Sequence, residues 1–396
     1  MSYIDKTSVL SVTPAFLRPQ PWLVSARFDS LWILAPAFWI TALVLIFSGE
    51  VHAFDETPLW LWAVLIMGVD VGHVYSTLYR TYFDEAEFAA RRRLYLGVPA
   101  LLFGLGCLLY WLGGAGLFWR VLAYTAVFHF VRQQYGFFML YSRHERDQPR
   151  WAQRIDAALI YLATLYPLVY WHTHDRQISW FTENDFFAIP LPWLSTLTGM
   201  VYAAVAIIYA GKEIRRWRLD KCFNLPKQGL LAGTALSWWV GIITFDHDLA
   251  FTAINTIAHG LPYLALIWVY GRNQQALGMR TWHWPEMGKI FSLRWLPAFL
   301  GLLLLLAYFE EGLWDAWVWR ERAELFAPFQ NIPAASEAML LWIVPLLTLP
   351  QATHYVLDAF IWRMKTPGTP WAGIMLHRPG DQAPRAAMHT ATSELT

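Results

Sequence analysis

PLWLWAVLIMGVDVGHVYSTLYRTYFD, residues 58–84, decides how this chain is read. Its first twelve residues open a helix apolar enough for the middle of a bilayer. Asp70 and His73 then interrupt it before the stretch reaches a basic end at Arg80. In hydrocarbon an ionisable side chain is costly unless it has a partner or a task. The rest of the sequence indicates which.

Of the 396 residues, 57% are hydrophobic and 15% charged, well below the share of about a quarter usual in soluble domains. The apolar residues fall in runs of about 18–25, the length that crosses a hydrocarbon core of roughly 30 Å. The 24 Trp and 18 Tyr suit aromatic belts at the two interfaces. An all-α, polytopic integral membrane protein is expected. With a formal net charge of +1, nothing points to nucleic acid as a partner. Cys107 lies in an apolar run and Cys222 in a basic loop, too far apart in depth for a disulfide or a cysteine metal site. The N-terminus shows no cleavable signal pattern.

Ten spans are expected, at 31–49, 58–80, 95–112, 116–141, 155–172, 193–211, 229–245, 249–271, 295–310 and 337–362. The loops on one side carry Arg91, Arg92 and Arg93, then Arg143 to Arg154, then Lys212 to Lys221, then Arg272 to Arg294. The alternate segments GEVHAFDET (49–57) and FDHDL (245–249) have no Lys or Arg, and 173–192 has only Arg176. By the positive-inside rule both termini are cytoplasmic. A cytoplasmic N-terminal segment (1–30), one transmembrane domain (31–362) and a disordered cytoplasmic tail (363–396) follow, in a bacterial inner (plasma) membrane. The loop 311–336 mixes Trp, Leu and Phe with charges and reads as an amphipathic helix on the outer surface.

Eight of the twelve histidines fall in loops or the tail. His73, His129, His259 and His354 each lie on a different span, and all four spans run from outside to cytoplasm. From the following basic residue they stand roughly 10, 21, 20 and 14 Å into the membrane. Each has polar company three or four residues away, on the same helix face. Asp70 precedes His73, Arg132 and Gln133 follow His129, Asn255 precedes His259, and Gln351 and Asp358 flank His354. The four imidazoles are expected as metal ligands in the cytoplasmic half of the bundle. Asp70 and Asp358 would support or join them, because a metal-bound imidazole usually gives its second N–H to such a group. Arg132, Gln133 and Asn255 would position water or substrate. Helix–helix hydrogen bonding and a proton path are the plain alternatives.

Three functions fit. The first is an intramembrane non-haem iron enzyme that oxidises a lipid-like or other apolar substrate by hydroxylation, desaturation or cleavage, with a possible redox partner. Imidazole suits iron, and open positions on such a centre bind oxygen. In architecture and residue type the chain resembles polytopic multi-histidine iron oxygenases of the bacterial β-carotene dioxygenase type. The paired-histidine boxes of membrane desaturases and hydroxylases are absent from its helices. The second is a haem-b electron-transfer protein, with two axial histidines per haem. Stacked haems usually draw two histidines at separate depths from each of two helices, whereas here each helix has one. The third is a proton-coupled transporter with a His/Asp relay, its best candidate kinks at Pro262 and Pro350.

Overall fold

The computed structural model describes residues 19–362 apart from 55–56, 146, 280–281 and 283–284, together with 371–376. It is all-helical, with 79% helix and no strand among the described residues. Seven helices there are long and apolar enough to cross a membrane: Ala26–Ile46, Leu59–Arg80, Arg92–Tyr141, Pro192–Asp220, Asp248–Ala276, Leu293–Trp319 and Glu337–Ile361.

The 50-residue run Arg92–Tyr141 is broken at Gly113 and Gly114, where Gly114 takes φ +64°. Residues 106 and 118 would stand about 18 Å apart in a straight helix. Instead a Cβ on Gly106 would lie 3.3 Å from the Phe118 ring, and Tyr110 and Phe118 have ring centroids 6.1 Å apart. The chain therefore doubles back, and glycine supplies the left-handed residue of the reversal. Two more helices, Arg150–Thr173 and 225–244, carry extra polar residues such as Asp156 and Lys227. All ten segments expected from the sequence are thus helical.

Asp248–Ala276 is the centre of the bundle. In its most apolar window 72% of residues are buried, against 6% to 50% for the other apolar helices. Those outer helices expose large side chains such as Ile46, Trp111 and Ile207, each more than two-thirds accessible. A water-soluble surface rarely shows so much contiguous apolar area, and lipid accommodates it. Small residues bring the inner helices together, as expected where lipid removes the hydrophobic drive between them. Gly260, Gly233 and Gly106 each face a neighbouring helix so closely that an added Cβ would crowd it.

Charges gather at the basic end. Lys227 Nζ lies 2.7 Å from Glu145, 3.2 Å from Glu213 and 3.4 Å from Asp156, while Arg216 and Lys212 complete the network. Burial works to raise the Glu145 carboxyl, but Lys227, Arg216 and Asn224 hold it below its usual range. Nearby, Arg80 pairs with Glu87 at 3.0 Å and lies over the Tyr270 ring. Within the segment read as a disordered tail, Trp371–Met375 is helical, and Asn273 donates to the Ile374 carbonyl at 2.8 Å. The remainder of that tail, like residues 1–18, lies outside the described residues.

The loop after Trp314 is not the amphipathic surface helix its composition suggested. The helix runs on as a π-turn, Asp315–Trp319, and stops at Arg320 in the left-handed region. Asp315 accepts from the backbone N–H groups of Glu321 and Arg322, which folds the chain back. Phe326 and Phe329 are then buried with Trp62 and Tyr308 instead of facing the interface.

Candidate metal centre

His73, His129, His259 and His354 come together. One ring nitrogen from each lies within 4.8 Å of the others. The ring centroids form a closed circuit: His73 to His259 is 4.8 Å, His259 to His129 is 5.0 Å, His129 to His354 is 4.6 Å, and His354 to His73 is 5.0 Å. None of the four is more than 4% exposed.

Local structure sets each ring. A π-helical stretch, Ala63–Val71, ends two residues before His73, and such bulges often occur at functional sites. His73 Nδ1 lies 3.2 Å from the Val69 carbonyl oxygen, which can only accept. Nδ1 therefore carries the proton and Nε2 is the bare nitrogen.

The tautomer of His354 is fixed by a longer chain. Tyr263 OH donates to Asp358 Oδ1 at 2.7 Å. Its oxygen is then free to accept from the Thr77 hydroxyl, 3.0 Å away. Thr77 in turn accepts from His354 Nδ1 at 2.7 Å. The proton order runs one way, and it leaves His354 Nε2 bare. Nε2 of His73 and Nε2 of His354 are both buried with no hydrogen-bond partner among protein atoms. His129 and His259 present Nε2 to Nε2 at 3.3 Å.

A buried polar atom without a partner costs about 1–3 kcal/mol. The bare Nε2 atoms of His73 and His354, together with the facing Nε2 atoms of His129 and His259, form a group that could hold one metal ion. Imidazole suits iron, copper, zinc and nickel. The ligand set is neutral, so the charge of a bound ion would be balanced by nearby carboxylates. Asp358 is one of them, 3.8 Å from His354 Nδ1 and 3.9 Å from His129 Nε2.

The other residues singled out in the sequence are placed as follows. Asp70 Oδ1 stands 3.8 Å from His73 Nδ1, beyond hydrogen-bond range, and lines a cavity beside the cluster. Asn255 lines the same cavity and donates to the Phe251 carbonyl. Gln133 donates to the backbone carbonyl of His259 at 3.0 Å, steadying that helix and not its ring. Arg132 is not brought to the cluster. It is exposed, hydrogen-bonded to the Tyr161 hydroxyl and stacked over Tyr135. Its long side chain turns outward, where two tyrosines take the guanidinium.

The cavity has a volume of about 350 Å³. Phe130 and Tyr355 separate it from the imidazoles: Phe130 stacks flat on His259 with centroids 3.6 Å apart, and Tyr355 lies 5.0 Å from His129. Trp62, Trp119, Trp180, Trp314 and Trp319 form much of the wall, with Asp70, Glu310 and Glu311 between them. Sequence reasoning missed Glu310 and Glu311, together with Thr77 and the orienting role of Tyr263. The two acids sit in AYFEEGLW (307–314), which reads as the end of a span. Adjacent acids in so apolar a run were the available signal.

Compared with known protein families, curated proteins and solved structures, the chain matches none.

Proposed function

We propose that this is a ten-span membrane protein of the inner (plasma) membrane, both termini cytoplasmic, that binds one non-haem metal ion, iron by preference, and oxidises a substrate held in the adjoining cavity. The convergence of four imidazole nitrogens from four helices carries this reading. The hairpin at Gly113 and the helices Arg150–Thr173 and 225–244 support ten crossings, and the alternating basic loops support the orientation.

The ion would supply a centre that binds dioxygen, the oxidant. His73, His129, His259 and His354 would hold it. Thr77, Tyr263 and Asp358 keep His354 in the ligating tautomer. Phe130 and Tyr355 limit access of water from the cavity, and the tryptophan walls would hold the apolar part of a substrate. A haem fits less well. The four rings close on one another at 4.6–5.0 Å, leaving no slot between paired imidazoles for a macrocycle.

The test is elemental analysis of the detergent-purified protein, with an absorption spectrum of the same sample. About one iron per chain, no haem bands, and loss of iron in each His→Ala variant is the expected result. Protein from metal-replete cells that carries no stoichiometric metal would overturn the proposal. Reporter fusions at the two termini test the orientation.

A further inference from the structure

We infer that the cavity beside the imidazoles takes an organic cation, an alkylammonium group, seated between the tryptophan faces and the carboxyl groups of Asp70, Glu310 and Glu311. This deepens the proposed function by naming the charge of the cavity's ligand, and it rests on that reading only for the ligand's being a substrate.

Four observations carry it. First, none of the three acids lies within 4.0 Å of a lysine or arginine nitrogen among the described residues. Tyr75 and Trp314 hydrogen-bond Glu310, whose Oε2 is still buried without a partner. Arg322, the one cation on the cavity wall among the described residues, acts on Glu311 from longer range, so that Asp70, Glu310, Glu311 and Glu321 face a single positive charge. Carboxyl groups inside a membrane bundle are retained at a cost unless they meet a counter-charge. Second, the walls between them are indole rings, whose faces attract cations, most strongly when water is excluded. Third, the cavity already shows this contact. Arg322 holds its guanidinium 4.3 Å from the centroid of Trp62, a wall residue, while its ion pair is with the exposed Glu321 at the rim. Fourth, about 350 Å³ suits a small organic group and far exceeds a bare ion.

The test is calorimetric titration of the full chain in maltoside detergent, with choline and its uncharged carbon isostere 3,3-dimethyl-1-butanol as probes. Choline is expected to bind at least tenfold more tightly than the isostere. Glu310→Gln and Asp70→Asn are each expected to weaken choline at least tenfold while leaving the isostere unchanged. The comparison of the two probes on the unaltered protein needs no variant, so a folding defect does not blunt it. Equal binding of the two probes, no binding of choline, or displacement of choline by Mg²⁺ or Mn²⁺ at equal concentration would overturn the inference. Iron content of the same sample is measured in parallel. Iron without choline binding refutes the cation site alone. Choline binding without iron refutes the metal enzyme alone.

Discussion

His129 and His259 face each other with their Nε2 atoms 3.3 Å apart. Two bare nitrogens repel at that distance, so a proton or a cation must stand between them. Two imidazoles on one tetrahedral ion, each about 2.0–2.1 Å from it, stand about 3.3 Å apart. His129→Ala and His259→Ala should each reduce bound metal below about a tenth of the wild-type content, measured by elemental analysis. Retention of metal by either variant would remove that residue from the ligand set.

The Thr77–Tyr263–Asp358 chain should tune the site without forming it. Tyr263→Phe deletes both the donor to Asp358 and the acceptor for Thr77, so His354 is no longer held in one tautomer. Loss of such an outer contact typically lowers metal affinity about 10–100-fold. Titration with a competing chelator reads this out. Thr77→Ser should keep near-normal affinity and Thr77→Val should not. Equal behaviour of those two variants would argue against the hydrogen-bond chain.

Gly260 sets the spacing of two ligand helices. A Cβ there would lie 2.7 Å from Val69 Cγ1, 3.3 Å from the Val69 carbonyl and 3.5 Å from His73 Nδ1. Gly260→Ala should cost about 1–3 kcal/mol, as overpacked cores do, and weaken metal binding through His73. Adding Val69→Ala removes the closest clash and should restore part of both. Thermal unfolding in detergent, with metal analysis alongside, checks the pair.

Arg132→Ala should leave metal content unchanged, since the side chain is spent on Tyr161 and Tyr135 at the outer surface. Loss of metal in this variant, with the protein still folded, would place Arg132 at the centre after all.

Glu145 gives a pH signature. Its carboxyl is held below the usual value of 4.5 in the fold. The unfolded chain therefore takes up that proton at a higher pH than the folded one. The stabilisation is present above about pH 4.5 and is lost as acidification passes through the lowered folded-state value. Melting temperature against pH should fall there for the wild type and less steeply for Glu145→Gln. Lys227→Met removes the cation shared by three carboxylates and leaves them only Lys212 and Arg216. At neutral pH it should destabilise by less than about 3–5 kcal/mol, the cost of a buried charge left with no partner.

What the sequence made legible followed from depth. Each of the four histidines interrupts an apolar run at a measurable distance from a basic end, and helical rise alone brings them to similar levels. The break placed between the spans 95–112 and 116–141 likewise falls where the backbone reverses, although the reading of the sequence singles out neither Gly113 nor Gly114 as its cause. Side-chain direction was less accessible. Spacing of three put Arg132 on the His129 face, but a side chain that long goes where its partners are. Glu310 and Glu311 looked like the water-facing end of a span, because nothing local revealed that the helix continues to Trp319. The proton order from Asp358 to His354 joins residues 95 to 277 positions apart, and no periodicity records it.

That separation also has a meaning in time. Thr77 and His354, directly bonded in the folded protein, are 277 residues apart in the chain. At a synthesis rate of about 5–20 residues per second, the second follows the first by roughly 15–55 s. For the last 95 residues of that interval, from His259 to His354, three of the four imidazoles have been made with no fourth to close the ring. On the proposed reading, metal capture in its final form would be an event of the last helix, and a chain stalled before Glu337–Ile361 would leave a partial, promiscuous chelator.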